Sequence, residues 1–588
     1  MKLKHLTIFL FLIVAFISQI YAGENKGKSK SPVASTSNKK SSGCSPGIAQ
    51  TDLDINNVRA TILTGSDMWH SLNANSGYEI PIGSGLHSLY AGALWIGGKD
   101  AAGNLKLAAQ TYRQTGNDFW PGAIDKVSVD ITPTRCSHYD KHWKINKADV
   151  LNFIAGGAAT PDMISWPGNG DIAFNEDEFL APFYDANSDG IYNTTDGDYP
   201  NYDFNIGSGI GSRINYVFGD QTLWWVFNDV GDFHSETGGD QIGLEIRAQA
   251  FAYQTSNDLN NCTFYKYEII NRGNTTLDSC YFGQWVDADL GKATDDFVGC
   301  HVTKGLGYCY NGDADDDGAG GYGLNPPAIG VDFLEGPFAD ANDGIDNDKD
   351  GTTDEPDEQI IMSNFVYYNN VNNSPTGNPA GAPHFYNYLK GIWGNGQQMT
   401  YGADAFLPTN PPCSYMFPGT TDPAFPTTDW TEVTAGNTPG DRRFLMSAGQ
   451  FTLLPGAVNY ITTLVIWTRA TSGGPQASVN LLFDMDSAVQ QKFDSSFYAS
   501  MGINELQTIE SNVVPNPFNA LTTITFKNDA KEIFKLTIFD INGKVVRLIG
   551  NIVSDKVIIT KGDLNKGVYL YKLESKSAKK TTGRLIVE

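Results

Sequence analysis

Apolar and polar side chains alternate through most of Ile242-Gly-Leu-Glu-Ile-Arg-Ala-Gln-Ala-Phe-Ala-Tyr253. A period of two places the apolar side chains on one face of an extended strand, so this sequence predicts a strand that borders a core. Similar short runs, separated by Gly, Pro and Asn, occur at 89–96, 223–227, 264–270, 360–368, 444–453 and 460–467. Their number predicts a mainly β fold, with a multi-domain β-sandwich body made of antiparallel sheets.

The length of 588 residues predicts two or more folded units, because single cores usually stop growing at about 250–300 residues. The acidic, β-rich body is expected over residues 51–505, and its length allows two packed sandwiches. Two helices are predicted inside it. One begins after Asn146, and the other covers 475–493, where Val479, Leu482 and Phe483 have helical spacing.

The N-terminus has the pattern of a secretory signal peptide over residues 1–22. Lys2 and Lys4 precede an apolar run at 6–17, and small or polar residues lead to a predicted cleavage after Ala22. The run is shorter than the roughly 20 apolar residues of a spanning helix, so we expect no transmembrane segment in the mature chain. Residues 23–50 have almost no large apolar side chain and are expected to form a flexible leader.

Charge is distributed unevenly along the chain. Residues 1–43 carry seven Lys and one Glu, and residues 512–588 carry 13 basic and seven acidic residues. The remaining residues, 44–511, hold 21 basic and 58 acidic residues, a net charge of −37. A body of this charge repels nucleic acid and attracts cations, so no nucleic-acid partner is expected.

The seven cysteines include four that lie close together in the sequence. In an exported protein these predict two disulfides, Cys262 with Cys280 and Cys300 with Cys309, although four cysteines allow three pairings. An odd total leaves at least one thiol unpaired. The chain has no CxxC motif, which argues against zinc ribbons and thioredoxin-like chemistry.

The C-terminal segment, 512–588, is a basic, cysteine-free module with short strands. Strands are predicted at 522–526, 535–539, 545–549, 568–573 and 583–587. The Asn-Gly pair in Asp540-Ile-Asn-Gly-Lys544 predicts a hairpin turn, since both residues adopt positive φ at low cost. Six or seven short strands in so small a module predict an immunoglobulin-like sandwich.

Four motifs of this module resemble the type A C-terminal sorting domain of type IX secretion substrates. They are Val514-Pro-Asn-Pro-Phe518, Ile538-Phe-Asp-Ile-Asn-Gly-Lys-Val-Val546, Leu564-Asn-Lys-Gly-Val-Tyr-Leu-Tyr571 and Gly583-Arg-Leu-Ile-Val-Glu588. The resemblance covers residues 512–588. The motif positions that it implies are Pro515, Asn516, Pro517, Phe518, Asp540, Asn542, Gly543, Lys544, Gly567 and Tyr569.

The resemblance implies an address rather than an activity. Proteins with such a domain pass through the periplasm, are recognised by the outer-membrane translocon and sorting machinery, and are released or joined to surface lipopolysaccharide. The expected location is therefore the outer cell surface or the medium.

The body also resembles a recurrent, uncharacterised region of type IX cargo. The similar motifs are Tyr90-Ala-Gly-Ala-Leu-Trp-Ile-Gly-Gly98, Ala109-Gln-Thr-Tyr-Arg113 with Gly116-Asn-Asp-Phe-Trp-Pro121, Asp295-Asp-Phe-Val-Gly299 and Gly440-Asp-Arg-Arg-Phe444. This resemblance implies no known activity.

Two acidic loops have the spacing of calcium sites. Gly190 occupies position 6 of the first loop, and the second loop contains Gly351 among its acidic residues. Oxygen donors at these spacings suit Ca²⁺, which we expect as a structural ion. The predicted ligands are Asp185, Asn187, Asp189, the Ile191 carbonyl, Asn193 and Asp196 in the first loop, and Asp346, Asp348, Asp350, Asp354 and Glu355 in the second. In the first loop a solvated acidic turn is the alternative.

Two further acidic stretches have weaker patterns. Residues 313–318 are as consistent with a flexible loop as with a cation site. The other is the group of Asp287, Asp289, Asp295 and Asp296, which follows a predicted strand and suggests a strand-end metal site.

No familiar catalytic motif occurs in the sequence. The chain lacks Gly-x-Ser-x-Gly, His-Glu-x-x-His and a phosphate-binding Gly loop. His138 and His142 are four residues apart, but a polar helix start explains them better than a metal site without a third ligand. Trp120 and Trp393 lie in loop-like contexts and are candidate sugar contacts.

The sequence therefore predicts a secreted or cell-surface, calcium-stabilised β-sandwich protein that serves adhesion, matrix or glycan binding without catalysis. The alternative is a secreted hydrolase that acts on polysaccharide or protein.

Overall fold

The structure is a computed structural model that describes residues 41–113, 115–202, 216–355, 358–501, 511–528, 531–540, 544–562, 564–575 and 580–588. The predicted signal peptide and most of the predicted leader lie outside these residues, as do Asn542 and Gly543 of the sorting motif.

The described part of the body contains 23 strands, several of only two residues. In chain order they are β1 (Gln50–Leu53), β2 (Arg59–Leu63), β3 (Asp67–Met68), β4 (Tyr78–Glu79), β5 (His87–Leu89), β6 (Ala91–Lys99), β7 (Leu105–Ala109), β8 (Trp120–Pro121), β9 (Trp143–Asn146), β10 (Phe183–Tyr184), β11 (Tyr199–Pro200), β12 (Gln221–Asn228), β13 (Leu244–Ala252), β14 (Cys262–Asn271), β15 (Leu277–Ala288), β16 (Asp296–His301), β17 (Leu306–Asn311), β18 (Asp315–Asp316), β19 (Gly323–Leu324), β20 (Ala328–Glu335), β21 (Asn364–Tyr368), β22 (Arg442–Leu453) and β23 (Val458–Thr468). All seven of the predicted body runs contain or overlap one of these strands.

Six α-helices connect or cover the strands within the described ranges. They are α1 (Pro133–Tyr139), α2 (Lys147–Ile154), α3 (Pro161–Ile164), α4 (Ala382–Leu389), α5 (Glu432–Ala435) and α6 (Gly474–Met501). Both predicted helices are confirmed as α2 and α6. No helix among the described residues combines the length and apolarity needed to cross a membrane.

Two large antiparallel sheets make up the body. The first sheet has the order β21-β22-β15-β6-β3-β2-β4-β5, with β1 beside β2 and β7 beside β6. The second has the order β16-β17-β20-β23-β14-β13-β12-β8, with β9 also paired to β12. The predicted strand at 242–253 is β13, in the second sheet. Its side chains at Leu244, Ile246 and Ala248 are fully buried in the main core.

One apolar core joins the two sheets. Trp69, which follows β3 of the first sheet, donates its indole N–H to the hydroxyl of Tyr265 in β14 at 2.8 Å. The ring centre of Phe282 in β15 lies 5.8 Å from that of Phe333 in β20. A single cluster of buried side chains draws on both sheets. The body is therefore one large sandwich rather than two packed ones, because its long strands share one interior.

Helix α6 covers the outer face of the second sheet. Val479, Leu482, Val489 and Phe493 are buried against side chains of that sheet. The helical spacing seen in the sequence thus serves packing. A further outer cluster, around Trp143 and Trp224, lies on the same sheet near α2 and α3.

The predicted disulfides are wrong. The structure contains a Cys44–Cys136 disulfide, whereas Cys262, Cys280, Cys300 and Cys309 are buried free thiols, as is Cys413. Cys262 and Cys280 belong to different sheets. Cys300 and Cys309 lie on adjacent strands but out of register, since Cys309 opposes Val298 and Cys300 opposes Gly307. Closeness in sequence does not place these sulfur atoms opposite one another.

The same disulfide shortens the predicted leader. Cys44 is buried, and its N–H donates to the Gly231 carbonyl at 3.0 Å. Residues 41–50 are therefore packed against the body through a bond that the polar composition of the segment does not reveal.

The C-terminal module forms a separate small sandwich core. Its strands are β24 (Ser511–Val514), β25 (Leu521–Phe526), β26 (Phe534–Phe539), β27 (Val545–Ile552), β28 (Lys556–Thr560), β29 (Gly567–Ser575) and β30 (Lys580–Val587). They form a three-stranded sheet, β24-β25-β28, and a four-stranded sheet, β27-β26-β29-β30. The prediction of an immunoglobulin-like sandwich with six or seven short strands is confirmed, with seven strands among the described residues.

Candidate functional site

The second acidic loop brings three carboxylates together. Asp346, Asp348 and Glu358 each offer an oxygen, and these atoms lie within 4.8 Å of one another. Of the predicted ligands, Asp346 and Asp348 belong to this group. Glu358 was missed, because it lies beyond the acidic loop pattern in the sequence.

Backbone hydrogen bonds shape this loop into a series of turns. Asp346 Oδ2 accepts from the Gly351 N–H at 3.1 Å, and Asp350 Oδ1 accepts from the Thr352 N–H at 2.8 Å. Gly351 has a φ of +101°, which an L side chain rarely adopts. Asp354 turns toward the preceding segment, where its Oδ1 accepts from the Gly344 N–H at 3.0 Å.

The electrostatics of the loop favour a cation. Burial raises the pKa of Asp348, and the carboxylates of Asp350, Glu355 and Glu358 raise it further. Asp346 Oδ1 and Glu355 Oε2 are buried and accept no hydrogen bond from any described residue. Buried carboxylate oxygens of this kind fit the hard oxygen shell of Ca²⁺.

Lys349 lies inside the loop but points into the body. Its ammonium donates to the Met362 carbonyl at 2.7 Å and lies 5.5 Å from the centre of the Tyr415 ring. Burial lowers the pKa of Lys349 to about 8. The lysine therefore anchors the loop while the carboxylates remain at its surface side.

The first acidic loop, between β10 and β11, has the predicted turn geometry. Asp185 Oδ2 accepts from the Gly190 N–H at 2.8 Å, and Asp189 Oδ1 accepts from the Ile191 N–H at 2.8 Å. Within this loop, described in full, no three carboxylates converge as they do around Asp348. Asn187, Asn193 and Asp196 instead hydrogen-bond to one another or to neighbouring loop residues.

Asp198 holds the first loop closed and was missed by sequence analysis. Its side chain is fully buried, with Oδ1 accepting from the Ala186 N–H and Oδ2 from the Asn193 N–H, both at 2.8 Å. The residue lies two positions after the loop pattern ends, so the pattern gave no signal for it.

A third acidic group, here called the acidic triad, consists of Asp287, Asp289 and Asp441. Their ligand oxygens lie within 4.8 Å of one another. Asp287 and Asp289 lie at the end of β15, as the weaker sequence prediction placed them, and Asp441 precedes β22. Burial and the charges of Asp287 and Asp441 raise the pKa of Asp289 well above its usual range.

Arg443 and Tyr112 surround the acidic triad. The Arg443 guanidinium lies 3.5 Å from Asp287 Oδ2 and 3.2 Å from Asp441 Oδ2. The Tyr112 hydroxyl donates to Asp287 and accepts from Arg443 Nε, the latter at 2.6 Å. The structure thus joins the body motifs at 109–113 and 440–444, which lie near opposite ends of the body in sequence.

The catalytic-looking pair His138 and His142 does not form a metal site. Cys136 beside it is in the disulfide, and His142 lies beyond the end of α1 with its Nδ1 3.0 Å from the Thr51 hydroxyl. Burial lowers the pKa of His142 to about 4, so this imidazole is neutral.

The two tryptophans proposed as sugar contacts are buried. Trp120 and Trp393 expose 2% and 1% of their surface. The Trp393 indole donates to the Ala405 carbonyl at 2.8 Å, and Trp120 stacks on the buried His234 ring. Their neighbouring glycines suggested loops, but both side chains belong to the core.

In the C-terminal module, the first and last motifs are hydrogen-bonded to each other. Asn516 donates through Nδ2 to the Arg584 carbonyl at 2.9 Å and accepts from the Ile586 N–H at 2.7 Å. Phe518 is buried in the core of the module, and its N–H donates to the Ile586 carbonyl at 2.9 Å. Thr522 donates to the carbonyl of Pro515 at 2.6 Å.

The other two motifs contribute to a strand pair and to the core. The Lys544 N–H donates to Asp540 Oδ1 at 3.0 Å, next to the pairing of Phe539 with Val545. The predicted turn itself, 541–543, lies outside the described residues. Tyr569 is buried next to the β29 start at Gly567, and its hydroxyl donates to the Asn565 carbonyl at 3.1 Å. All four motifs therefore contribute to one compact sandwich.

Comparison with known proteins identifies this module. A family model described as a secretion system C-terminal sorting domain matches residues 512–588. No curated protein matches the chain.

Solved structures with some similarity have very low TM-scores. An immunoglobulin-like β-sandwich protein of the DUF3244 family from Bacteroides vulgatus is 17% identical, covers 14% of this chain and 94% of its own, and has a TM-score of 0.12. A polysaccharide lyase is 8% identical over 58% of this chain and 34% of its own, with a TM-score of 0.16. A β-glucuronidase of Faecalibacterium prausnitzii is 11% identical over 27% of this chain and 28% of its own, with a TM-score of 0.12. Scores this low carry no argument about function.

The motifs, the sandwich that they build and the family match all concern the same segment of the chain. Residues 512–588 are a type IX secretion C-terminal sorting domain, and the protein is cargo of that pathway, exported to the cell surface or beyond.

Proposed function

We propose that this exported protein is a calcium-stabilised β-sandwich that binds glycan or extracellular matrix without catalysis. The observation that carries the calcium part is the convergence of Asp346, Asp348 and Glu358 within 4.8 Å. The proposed site also includes Asp350, Asp354 and Glu355. A second, weaker calcium site is proposed in the first loop, with the ligands Asp185, Asn187, Asp189, Ile191, Asn193 and Asp196. Calcium at extracellular concentrations fills sites of modest affinity.

Binding rather than catalysis is supported by the way the body uses its buried acids. Glu432 is fully buried and forms a bidentate pair with Arg442, at 3.0 and 2.8 Å. Glu245, also fully buried, pairs with Arg247 at 2.9 Å and Arg272 at 3.0 Å. A carboxylate that is paired with arginine in this manner stabilises the fold. Because the arginine holds its charge, the carboxylate is not available for proton transfer.

The calcium proposal is tested by metal analysis and thermal unfolding of the exported protein. We expect bound calcium after dialysis against a buffer free of chelator, and a lower melting temperature after EGTA treatment that added Ca²⁺ restores. Magnesium is the matched control, because its small octahedral shell suits this loop poorly. An unchanged melting temperature together with a metal-free protein would refute it.

The binding proposal is tested with purified protein on immobilised polysaccharides and matrix proteins. We expect saturable binding to at least one surface and no release of soluble product.

The type IX machinery interacts with the sorting domain, and we propose surface lipopolysaccharide as the attachment point of the mature protein. Mass spectrometry of surface-bound material would show whether a lipopolysaccharide-linked form exists.

The alternative, a secreted hydrolase for polysaccharide or protein, is favoured by the acidic triad. A carboxyl group whose pKa is raised by burial and by two neighbouring carboxyl groups is the arrangement of a general acid. Asp289→Asn would then abolish turnover of the substrate. Turnover by the wild-type protein that this substitution removes would replace the binding proposal with the alternative.

A further inference from the structure

A surface cavity of about 130 Å³ lies next to the acidic triad. Tyr90, Tyr112, Arg113 and His70 form much of its wall. Tyr112 connects the cavity to the triad, since its hydroxyl donates to Asp287. The cavity therefore gathers residues from two of the body motifs, at 90–98 and 109–113, and the motif at 440–444 lies directly behind it.

Two tyrosine rings form an angled aromatic wall. The ring centres of Tyr90 and Tyr112 are 5.6 Å apart, and the ring planes meet at 64°. Both side chains are half-buried, so part of each ring remains open to the cavity. Aromatic faces of this kind bind the C–H groups of a ligand ring while leaving its polar groups free.

Arg113 supplies hydrogen-bond donors whose charge is already balanced. Its Nε and Nη2 donate to the two oxygens of Asp67 at 2.7 and 2.6 Å, and Nη1 donates to the Gly47 carbonyl. A guanidinium carries five N–H groups, and these contacts use three of them. His70 is held in place by Asp67, with Nε2 3.1 Å from Oδ2.

The backbone around the cavity is unusual. The backbone φ angles of Trp69, Ala74 and Arg113 are +67°, +60° and +58°. Residues other than glycine rarely adopt such positive values. Ala74 and Arg113 line the cavity, and Trp69 directly precedes His70. Strained positions of this kind persist where the surrounding structure enforces them, and they concentrate at binding sites.

We propose that this cavity binds one pyranose ring of an uncharged glycan, with Tyr90 and Tyr112 against its C–H groups and Arg113 donating to its hydroxyls. The inference rests on the proposed glycan-binding function. The net charge of −37 over residues 44–511 disfavours anionic polysaccharides. Because the Arg113 guanidinium is paired with Asp67, it offers hydrogen-bond donors without a net charge, and an uncharged sugar is the ligand class that fits both conditions.

The test is calorimetric titration of the full exported protein with four neutral probes: laminarihexaose, cellohexaose, mannohexaose and chitohexaose in its N-acetylated form. We expect binding of at least one probe. Tyr90→Ala should weaken it by about tenfold, the effect of losing one aromatic contact. Tyr90→Phe retains the ring and should bind like the wild type.

Tyr184→Ala is the matched control, because Tyr184 is an exposed tyrosine stacked on Tyr199 at 4.8 Å and does not line this cavity. Its binding should be unchanged. Leu72→Asp, at an exposed position of the cavity rim, provides a second variant if Tyr90→Ala melts below the wild type. Its carboxylate should compete with the sugar for Arg113 and also weaken binding.

The outcomes separate this inference from the proposed function. Glycan binding that survives Tyr90→Ala and Leu72→Asp overturns the cavity assignment and leaves the binding function intact. A wild-type protein that binds alginate but no neutral probe overturns the ligand class proposed here. A wild-type protein that binds no glycan and no matrix surface refutes both proposals.

Discussion

Asp348 is the residue whose substitution reports most directly on calcium. Three neighbouring carboxylates and burial raise its pKa, so the apo loop is under charge repulsion that a divalent cation relieves. We expect Asp348→Asn to weaken calcium binding by at least about tenfold, a loss typical even of groups that only support a metal ligand. Calcium titration followed by thermal unfolding measures this effect.

Asp484→Asn is the control for the Asp348 substitution. Asp484 is an exposed residue of α6, far from the loop in sequence, and its substitution removes the same charge. Calcium affinity should stay at the wild-type value. An equal change in both variants would mean that net charge, rather than the loop, determines the affinity.

His234 is a second residue with a specific expectation, because both ring nitrogens face acceptors. Nδ1 and Nε2 lie 2.7 Å from the carbonyl oxygens of Leu107 and Asp229, so both must carry hydrogen. Burial alone would lower the pKa of His234. The Asp118 and Asp229 carboxylates and the two carbonyls outweigh burial and raise it.

The sign of the pH dependence follows from this raised pKa. The folded protein holds the proton more tightly than the unfolded chain, so the contribution to stability is complete below the ordinary histidine pKa of about 6.5 and is lost as the pH rises through the higher folded value. Urea unfolding between pH 5.5 and 9 should show this loss. His234→Gln should remove it, whereas His138→Gln, at an exposed position in α1, should not.

Single residues were predicted with mixed success, for physical reasons. Asp346 and Asp348 were found because alternate acidic residues and a glycine describe a local turn. Glu358 and Asp441 are brought to their sites by tertiary structure, which no local pattern encodes. The cysteine pairing failed for the same reason, since Cys44 reaches Cys136 across 92 positions of the chain.

At the scale of elements, α6 is fastened to the second sheet by a buried polar cluster as well as by apolar contacts. Asp486 of α6 and Asp332 of β20 interact directly, and their residues are 2% and 0% exposed. Lys304 Nζ lies 3.2 Å from Asp486 Oδ2. Neither oxygen of Asp332 accepts a hydrogen bond from any described donor. Two carboxyl groups beside one ammonium are most stable when they share a single proton.

This arrangement makes the docking of α6 depend on pH. Burial, followed by the charge of Asp486, raises the pKa of Asp332 well above its usual range. The docked helix therefore holds a proton that the undocked helix releases. Docking is strongest below the ordinary aspartate pKa of about 3.9 and weakens as the pH rises toward the folded value.

Amide hydrogen exchange of α6 tests this expectation. After correction for intrinsic rates, protection in α6 should fall by up to about tenfold per pH unit in this window. Asp332→Asn keeps the shape and an N–H donor but cannot titrate, so the fall in protection with pH should become smaller than in the wild type, where Asp332 and Asp486 both titrate. Asp484→Asn should retain the wild-type slope.

The neighbouring side chains of His301, Tyr308 and Cys262 stay uncharged across neutral pH. Burial lowers the pKa of His301 to about 4 and raises those of Tyr308 and Cys262. The remaining charged side chains on or beside the helix are Asp484, Lys492 and Asp494. An Asp332→Asn protein with the wild-type slope would contradict the shared proton.

The elements themselves were largely predictable. Period-two runs with large apolar side chains became long central strands such as β12, β13 and β22. The run at 242–253 was clear because its polar residues, Glu245 and Arg247, lie on the opposite face from the core. Strands β16 and β17 were harder to predict, since Gly299 and Gly307 interrupt their apolar pattern. The glycines are required there: a Cβ on Gly307 would lie 2.8 Å from the Phe365 ring.

At the scale of the whole molecule, the sorting domain determines where the protein works. Deletion of 512–588 should leave the body in the periplasm, because the part of the chain that the machinery recognises is absent. Fusion of 511–588 to a periplasmic reporter is the reciprocal control and should export the reporter. Immunoblots of periplasm, cell surface and medium measure both. Efficient export of the deleted form would contradict the assignment.

The division into body and sorting domain was visible in the sequence, because charge, cysteine content and strand spacing all change near residue 511. The number of sandwiches in the body could not be predicted from the sequence. Whether two sets of strands close separate cores or face each other depends on contacts such as Phe282 with Phe333, and alternation along a strand does not identify the opposing layer.

The Cys44–Cys136 bond also bears on how the chain is made. These are the first two of the seven cysteines, so a polypeptide entering an oxidising compartment N-terminus first presents both thiols before any of the other five. Vectorial entry thus makes the native pair the earliest one available to oxidation. The later cysteines are then sheltered inside the sandwich, where an oxidase does not reach them.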